Sequence, residues 1–588
     1  MYTCSSPVTT SPVSTPSANS KLSFRLSMKV VKLSLTLGLL LVCITHLCAQ
    51  YVPPLRGPLL ITGTFGELRS NHFHGGLDFR AAVGTPVYAV NEGYVSRIRV
   101  SGGGYGQAVY IDHPDGKRSV YGHLEVLAPE LKDTIRALQY ARESFEIDLA
   151  LDSLAFPVEQ GQRIGGVGNR GFSFGPHLHF EIREAAGDVP LNPLSLGFDV
   201  ADTRLPEVQR LRLYSLPAGG PPAEISTYDL HRRELPDTVR VGTPRVGLGF
   251  KAYDRQNSMP NRNGIYRAAL EVEDSKHFFF VYDRIPYDKT EYLNVLTDFA
   301  DWKKNKSWYY LLYSPTPAAI FWPGGDPSQD GVIKLRPGRP TDVVVTAGDH
   351  AGNETHVRFT LLYEEGIAPA AAPEVPYTYY LPAGERSIID TGGMRLDLPA
   401  DALYRDLKFS FMRLKDRSDN HLSDTYQLHE FTTPLHGKAT LTIAPREEVP
   451  ASLRSKVYVA KCNDGGGYPS VGGQWHPDGS ITTSIGSMGN YALMVDSIAP
   501  RIRIERFGTD LRREDNFSLL IDDAVGGSLH YRATVDGQWL LMEYDAKSGR
   551  LSHDFTDGEP LEPGRHEFEL RVRDARGNEA TFQRVFRR

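Results

Sequence analysis

The chain has 588 residues, and its 65 Lys and Arg against 71 Asp and Glu give a formal net charge of −6 and a pI near 6.3. No basic stripe appears along the sequence, which argues against nucleic acid as a partner. At about 150 residues per domain, the length predicts three or four domains after a leader is removed.

An apolar segment near the N-terminus predicts export. Residues 33–47 are mainly Leu with Val, Ile and Thr, and they follow the basic stretch 28–32. The run is shorter than the ~20 residues that cross a bilayer, so it is typical of a secretory signal peptide. We expect residues 1–49 to be a leader and signal peptide, with 1–27 from an overextended start, and no transmembrane span in the mature chain.

The cysteines lie almost entirely in this leader. Lipid attachment at Cys43 or Cys48 is an alternative to simple cleavage, but bulky Val42 and Leu47 precede them where a small residue is needed. Cys462 is the only cysteine beyond the leader. The sequence therefore predicts no disulfide bond within the mature chain.

Two His-x-His pairs frame the next part of the chain, where random placement of 18 His predicts about 0.5 pairs. The first, His72-Phe73-His74, opens the segment His74-Gly75-Gly76-Leu77-Asp78, which spaces an imidazole and a carboxylate four residues apart. Both groups are common ligands of zinc. His72 shares the alternating face with His74, and we expect it to line the cleft or to support a ligand.

A second motif, Tyr121-Gly122-His123-Leu124, lies on an alternating strand. Tyr121 and His123 share one face of that strand. Tyr121 is open to two interpretations, a structural hydrogen bond or support of a site. His113, in an Asp-His-Pro-Asp-Gly turn, is expected to be structural.

An insertion follows, because residues 129–154 carry apolar side chains among Lys, Arg, Asp and Glu. Their spacing predicts a helix from about Pro129 to Ser144, with a less certain continuation. The insertion could shape substrate entry or serve as scaffold.

The second His-x-His pair belongs to the stretch 177–183, His-Leu-His-Phe-Glu-Ile-Arg. Because strand side chains alternate, His177, His179 and Glu181 point one way, while the apolar residues between them point into a core. Glu181 is open to the same two interpretations as Tyr121. Two imidazoles presented by one strand pre-organise part of a metal site.

After residue 200 the sequence pattern changes to alternating runs typical of β-strands, with many turn residues between them. This pattern is typical of tandem β-sandwiches. Residues 343–354 and 570–579 both run from an alternating strand into Asp-x-x-Gly-Asn. They resemble the last hairpin of bacterial immunoglobulin-like domains. Nothing after residue 200 gathers a nucleophile, a base and metal ligands, so we interpret these domains as binding or spacing modules.

The order of these motifs along the chain resembles that of the lysostaphin-type, or LytM-like, zinc metallopeptidases. The resemblance covers residues ~57 to 195. Members of this family have a duplicated hybrid motif fold and cut peptide bonds in peptidoglycan. The resemblance extends to residues 84–95, 105–113 and 158–169 and covers roughly a quarter of the chain. It implies a Zn²⁺ cofactor held by His74, Asp78 and His179, with His123 and His177 as the catalytic residues.

The fold class that follows is mainly β, with an antiparallel β-sheet catalytic domain that carries a helical insertion and, after it, tandem β-sandwich domains. The expected boundaries are these: leader 1–49, zinc metallopeptidase domain 50–198, immunoglobulin-like domain 204–363, linker 364–376, β-sandwich domain 377–496, immunoglobulin-like domain 497–588.

The resemblance implies an exported zinc endopeptidase that acts on peptidoglycan stem peptides or cross-bridges, with a zinc-activated water as nucleophile. The expected location is the periplasm or cell envelope, with the extracellular space as the alternative, and the β domains could contact wall or protein. The alternative is a catalytically silent domain of the same type that binds peptidoglycan or regulates another hydrolase. Such relatives lack ligands, whereas all five site residues are present here.

Overall fold

A computed structural model describes residues 51–217, 220–232, 235–314, 323–326, 328–372, 376–415, 420–463, 465–556 and 561–588. The predicted leader, residues 1–49, lies outside this part of the chain. The described residues fold mainly as antiparallel β-sheets, which confirms the predicted fold class. Among them, no helix has the length and apolar character needed to cross a membrane.

The first domain contains twelve strands and two short helical elements. The strands are β1 Ile61–Gly63, β2 Leu77–Arg80, β3 Pro86–Tyr88, β4 Gly93–Val100, β5 Gln107–Asp112, β6 Lys117–Gly122, β7 Leu124–Leu127, β8 Ile147–Ala150, β9 Pro157–Val158, β10 Arg163–Val167, β11 His177–Glu184 and β12 Val189–Leu191. Nine form one sheet, in the order β1-β2-β11-β6-β5-β4-β8 with β12 on β11 and β9 on β4, and β3-β10-β7 form a second sheet.

Strand β11 lies at the centre of the large sheet and is buried on both faces. Leu178, Phe180 and Ile182 are fully buried on the apolar face, as the alternation predicts. The opposite face carries His179 and Glu181, which are also buried. Buried polar groups need partners, so this face has to satisfy its imidazole and carboxylate within the protein.

The insertion contains helix α1, Pro129–Arg142, which begins with proline in its first turn and buries Leu131 and Ile135. It ends at Glu143, whose φ of 47° is left-handed. The uncertain helical continuation is wrong, because Ile147–Ala150 forms β8 and pairs with the edge of β4. A free sheet edge offers backbone hydrogen bonds to an alternating apolar segment.

A 3₁₀ helix, Pro193–Leu196, leads into the second domain. Its strands are β13 Glu207–Ser215, β14 Ala223–Asp229, β15 Thr238–Val241, β16 Arg245–Tyr253, β17 Arg267–Val272, β18 Ser275–Val281, β19 Tyr310–Leu311, β20 Ile333–Lys334, β21 Pro340–Gly348 and β22 Glu354–Tyr363. One sheet runs β14-β13-β16-β19 with β20 on β16, and the other runs β15-β22-β21-β17-β18. Between β18 and β19 lie a 3₁₀ helix, Tyr287–Tyr292, and helices α2, Leu293–Leu296, and α3, Phe299–Asn305.

The third group of strands encloses a separate hydrophobic core that extends from Leu381 to Leu493. The strands are β23 Tyr379–Leu381, β24 Ser387–Asp390, β25 Met394–Leu398, β26 Leu407–Phe409, β27 Phe411–Leu414, β28 Thr425–Leu428, β29 Ala439–Ile443, β30 Val457–Cys462, β31 Gln474–Trp475, β32 Ile481–Ile485 and β33 Gly489–Val495, with a 3₁₀ turn at Arg454–Lys456. The sheets are β24-β25-β29-β32-β31, β27-β28-β33-β30 and the pair β23-β26.

The last group has its own core, from Phe507 to Phe586. Its strands are β34 Arg501–Arg506, β35 Asn516–Asp522, β36 His530–Val535, β37 Gln538–Trp539, β38 Glu543–Asp545, β39 Arg550–Asp554, β40 Arg565–Arg573 and β41 Glu579–Arg587. They form the sheets β34-β35-β39-β38 and β37-β36-β40-β41. The two Asp-x-x-Gly-Asn segments are hairpin turns, between β21 and β22 and between β40 and β41.

Candidate metal centre

Three neighbouring strands bring together all five predicted site residues. In the pairing of β11 with β2, His179 lies opposite Asp78, and in the pairing with β6 it lies opposite Gly122. His123 directly follows β6, His177 begins β11, and His74 lies just before β2. Residues that are far apart in sequence therefore converge, because β2, β11 and β6 are adjacent in one sheet.

His74, Asp78 and His179 present one donor atom each toward a common point. His74 Nε2 lies 3.1 Å from His179 Nδ1 and 3.1 Å from Asp78 Oδ1, and His179 Nδ1 lies 2.9 Å from Asp78 Oδ1. A tetrahedral ion with bonds of about 2.0–2.1 Å holds its ligand atoms about 3.3 Å apart. Two imidazole nitrogens and one carboxylate oxygen at these distances fit a metal ion.

The polar atoms of these three side chains that face away from the common point contact other groups of the protein. His74 Nδ1–H donates to the Thr64 carbonyl oxygen (2.8 Å), and His179 Nε2 lies 2.7 Å from Glu181 Oε1. The guanidinium of Arg69 donates to Asp78 Oδ2 (3.1 Å), which leaves Oδ1 facing the imidazoles. Such contacts fix the ring orientation and the tautomer that presents a lone pair to a metal.

The charges around the donor atoms shift two pKa values in opposite directions. Burial raises the pKa of Asp78, but the neighbouring imidazoles of His74, His177 and His179 outweigh it and hold this pKa well below its usual range. Burial lowers the pKa of His179, and its bonds to Asp78 and Glu181 outweigh that effect and raise the pKa to about 9. Without a metal, the imidazole of His179 is therefore protonated at neutral pH.

His123 and His177 lie beside the three donors. Their ring centroids are 4.7 Å apart, and His177 Nε2 lies 3.4 Å from Asp78 Oδ1. His123 Nδ1–H donates to the Arg170 carbonyl oxygen (2.7 Å), and His177 Nδ1–H donates to that of Gly175 (2.8 Å). Because each Nδ1 holds the proton, each Nε2 carries the lone pair.

The environment of His123 keeps it uncharged. Burial, together with the charges of His179 and His177, lowers the pKa of His123 to about 3. Its backbone has a left-handed φ of 59°, and its N–H donates to the Tyr105 carbonyl oxygen (2.9 Å). The imidazole is therefore uncharged at neutral pH, and its Nε2 lone pair is available as a hydrogen-bond acceptor.

Glu181 is fully buried and connects the metal centre to the second domain. Its carboxylate accepts hydrogen bonds from Tyr105 Oη, from Arg183 Nε (2.6 Å) and from Tyr287 Oη (3.0 Å). Burial raises the pKa of Glu181, but Arg183 and His179 outweigh it and lower the pKa, so the carboxylate is charged. Tyr287 comes from the second domain, which therefore completes the surroundings of His179.

The last domain contacts the loop that holds His123. Arg170, whose carbonyl accepts from His123, forms ion pairs with Glu543 (2.8 Å) and with Glu125 (3.0 Å). Lys547 Nζ donates to the carbonyl oxygens of Asn169 and Gly171. The position of this loop depends on β domains as well as on the first domain.

Gly76 allows the His-x3-Asp segment to approach β11. A Cβ at Gly76 would lie 2.3 Å from the Phe180 carbonyl oxygen, a distance that no side chain tolerates. A Cβ at Gly122 would lie 3.4 Å from the Cβ of His179, which is an ordinary contact. The small residues of the His-x3-Asp segment therefore serve the close packing of that segment on β11.

The remaining predicted residues differ in their surroundings. His72 is exposed and bonds to Asn71, and it lies near enough to the site for the charges of His74 and His179 to act on it, so the expectation that it lines the cleft or supports a ligand stays a prediction. Tyr121 Oη accepts from Val90 N and Ser119 Oγ, which is a structural role. His113 bonds to the Glu92 carbonyl oxygen and to Ser119, as a structural residue would.

Sequence reasoning missed several residues that hold the site. Arg183 shares the alternating face of His177, His179 and Glu181, and this period of two was a signal that could have found it. The others have no local signal, because they come from separate parts of the chain. These are Thr64, Arg69, Tyr105, Tyr287 and Glu543.

Two parts of the chain match known families. Residues 72–140 and 155–193 match the model of peptidase family M23, and the interruption includes β8 of the insertion. Residues 378–496 match the model of the Zu5-like domain.

Curated relatives are similar over the same first segment. The DD-carboxypeptidase/endopeptidase Mpg of Neisseria meningitidis is 33% identical over 129 residues, which are 22% of this chain and 24% of the relative. The cell division protein DipM of Caulobacter vibrioides is 27% identical over 136 residues, 23% of this chain and 18% of the relative. The peptidoglycan DD-endopeptidase ShyC of Vibrio cholerae is 33% identical over 111 residues, 18% and 20% of the two chains. The chain thus spans about a quarter or less of the length of these relatives.

Among solved structures, the catalytic domain of the prophage-encoded M23 protein EnpA from Enterococcus faecalis is 28% identical, covers 25% of this chain and 98% of its own, and has a TM-score of 0.19. The catalytic domain of lysostaphin from Staphylococcus simulans is 24% identical, covers 23% and 86%, and has a TM-score of 0.17.

Proposed function

We propose that the protein is an exported, zinc-dependent endopeptidase that hydrolyses peptide bonds in peptidoglycan, since residues 72–140 and 155–193 match the model of peptidase family M23. The observation that carries the proposal is the convergence of His74 Nε2, Asp78 Oδ1 and His179 Nδ1, with His123 and His177 beside them. The export signal in residues 28–49 and the peptidoglycan enzymes among the relatives support a location in the periplasm or cell envelope.

In this proposal His74, Asp78 and His179 hold the metal, and the other residues handle protons and orientation. Zn²⁺ bound there supplies a Lewis acid for the scissile carbonyl and lowers the pKa of water. The neutral Nε2 of His123 accepts the proton of the attacking water. Once protonated, the same nitrogen can donate to the leaving amine.

His177 is the second proposed catalytic residue. Its Nδ1–H bond to the Gly175 carbonyl oxygen aims Nε2 at the space between His123 and Asp78. From there its lone pair can accept a hydrogen bond from the attacking water and hold that water in position. A well-placed hydrogen-bonding group at such a point contributes about 3 kcal/mol to catalysis.

The test is zinc analysis of the purified protein together with digestion of cell-wall sacculi, in which released peptide ends are measured by mass spectrometry. We expect the wild type to contain one zinc ion per chain and to release ends, and His179→Ala to do neither. His476→Ala is the matched control, because this exposed imidazole lies in the third group of strands, away from the site. If the wild type lacks zinc and releases no ends, the catalytically silent alternative holds.

A further inference from the structure

A cavity of about 300 Å³ lies between the first domain and the second. The first domain lines it with Thr64 among other residues, and the connecting segment contributes Asp202. The second domain contributes Asp254, Asn263 and Asp349. The cavity is distinct from the metal centre described above, and its polar lining comes mainly from acidic and amide side chains.

Three aspartates meet in this cavity. One oxygen each of Asp202, Asp254 and Asp349 lies within 4.8 Å of the other two. Asp254 is 5% exposed and Asp349 is 4% exposed. Within the described part of the chain, none of the three forms an ion pair with Lys or Arg, and the guanidinium of Arg204 offsets only part of their mutual repulsion. Burial, reinforced by the two other carboxylates, raises the pKa of Asp254 to about 7.

Two buried oxygen atoms that line the cavity also lack a hydrogen-bond donor. These are Asp254 Oδ1 and Asn263 Oδ1, and Asn263 is 3% exposed. The two residues pair through two backbone hydrogen bonds of 2.9 Å, so their side chains project from the same side. Buried oxygens without donors are costly unless something in the cavity satisfies them. A cation would satisfy both oxygens and neutralise the carboxylates.

The same arrangement of aspartates occurs in the last domain. There, too, three aspartate oxygens lie within 4.8 Å of one another. In both domains the first aspartate precedes the first strand, the second directly follows a strand, and the third opens the Asp-x-x-Gly-Asn turn. In that order, the second domain has Asp202, Asp254 and Asp349, and the last domain has Asp496, Asp523 and Asp574. The second set has Lys456 nearby, bonded to Asn578. The first set has a cation nearby as well, Arg204, but it is the stronger candidate because Asn263 adds a second kind of buried oxygen that lacks a donor.

We propose that Asp202, Asp254 and Asp349, with the amide oxygen of Asn263, bind a calcium ion between the first domain and the second. Ca²⁺ takes six to eight oxygen ligands from carboxylates, amide oxygens and water, and it accepts irregular geometry. Zinc prefers nitrogen and sulfur donors, and Mg²⁺ demands a tighter octahedron. The cavity has room for the waters that complete the coordination of Ca²⁺.

The location gives the ion a structural role. Asp202 lies on the connection from the first domain, while Asp254 and Asp349 belong to the second, so one ion ties the two together. Thr64 joins them at the same place, because its Oγ1 donates to the Gly264 carbonyl oxygen (3.2 Å) and its own carbonyl accepts from His74. Calcium is expected to stabilise the contact that positions His74.

The test measures Ca²⁺ binding to the full-length, zinc-loaded protein by equilibrium dialysis with labelled calcium, and its Tm by calorimetry. We expect Asp254→Asn to bind one Ca²⁺ per chain fewer than the wild type and to show a smaller rise of Tm with calcium. Calcium sites in extracellular modules typically have a Kd of about 0.1–1 mM. Without calcium the variant should be at least as stable as the wild type, since it removes one of three repelling charges.

Asp237→Asn is the matched control, because this carboxylate lies exposed in the same domain. It should bind calcium as the wild type does. The proposal is overturned if Asp254→Asn and the wild type bind the same number of calcium ions, or if the wild type binds none. Equal binding of Mg²⁺ under the same conditions would overturn the assignment to calcium. None of these outcomes depends on peptidase activity.

Discussion

His179 lies between two carboxylates, and each of its ring nitrogens faces one of them. Nδ1 is 2.9 Å from Asp78 Oδ1, and Nε2 is 2.7 Å from Glu181 Oε1. This arrangement is stable with a proton on both nitrogens or with a metal in place of the proton on Nδ1. Metal and proton therefore compete for one atom.

Zinc binding at pH 7 should release a proton from His179. The pKa of this imidazole is raised to about 9 in the metal-free protein, so the proton is bound at pH 7 and has already left above that pKa. Zinc affinity should therefore rise with pH up to about 9 and then level off. Calorimetric titrations in buffers of different ionisation enthalpy measure the released proton. Zinc affinity that does not change between pH 7 and 9 would contradict the raised pKa.

The five proposed site residues could be named from sequence because each belongs to a short motif that resembles the lysostaphin-type metallopeptidases. His74 and Asp78 are four residues apart, and His177 and His179 alternate on one strand. The groups that orient them could not be predicted in the same way. Arg69 and Tyr287 act through contacts that depend on the fold, and Tyr287 is 106 residues from the Glu181 that it contacts.

At the scale of elements, the approach of β2 to β11 decides the distance between Asp78 and His179. Gly76 should not tolerate a side chain, because a Cβ there would lie 2.3 Å from the Phe180 carbonyl oxygen. We expect Gly76→Ala to destabilise the first domain by about 1–3 kcal/mol and to weaken zinc binding. Thermal unfolding and zinc titration measure the two effects.

Gly366→Ala is the control for this substitution, since a Cβ at Gly366 meets no atom within 4 Å and the backbone there is not left-handed. It should behave as the wild type. Zinc binding by Gly76→Ala that equals that of the wild type would show that the strand spacing does not set the geometry of the centre.

The insertion shows where local patterns are informative and where they are not. Helix α1 follows its amphipathic spacing and starts at Pro129, as the sequence predicts. The next segment, Ile147–Ala150, has too few residues for periodicity to separate helix from strand. The segment forms a strand because it pairs with the edge of β4, and the local sequence does not show that this edge is near.

At the scale of the molecule, the second domain contributes Tyr287 to the surroundings of the metal centre. Tyr287→Phe removes the hydrogen bond to Glu181 (3.0 Å) and keeps the ring beside Arg183. Loss of such a supporting bond typically costs about tenfold or more in metal affinity. Competition titration with a zinc chelator measures it. Tyr380→Phe, which loses a similar bond to Asp406 far from the site, should leave the affinity unchanged.

The last domain should act on catalysis and not on metal binding. Glu543 pairs with Arg170, whose carbonyl oxygen holds His123. We expect Glu543→Gln to lower kcat by up to about tenfold, because a small displacement of a reacting group is costly, while zinc affinity stays the same. Glu505→Gln, which breaks a pair with Arg550 elsewhere in this domain, is the control. A change of zinc affinity in Glu543→Gln would contradict this division.

The β domains were expected to be binding or spacing modules, because none of them carries a complete set of catalytic groups. Two of them contact the surroundings of the candidate site through a few side chains, which include Tyr287 of one domain and Glu543 and Lys547 of the other. A role of this kind needs no motif. It depends on which loop of one domain meets which loop of another, and sequence periodicity does not record that contact.

The bond between Tyr287 and Glu181 also imposes an order of events during synthesis. The ribosome makes the first domain before the second, and the 106 residues between the partners take about 5–20 s at usual rates of translation. During that interval the carboxylate beside His179 lacks its third donor. The surroundings of His179 in the first domain are therefore incomplete until the second domain has folded.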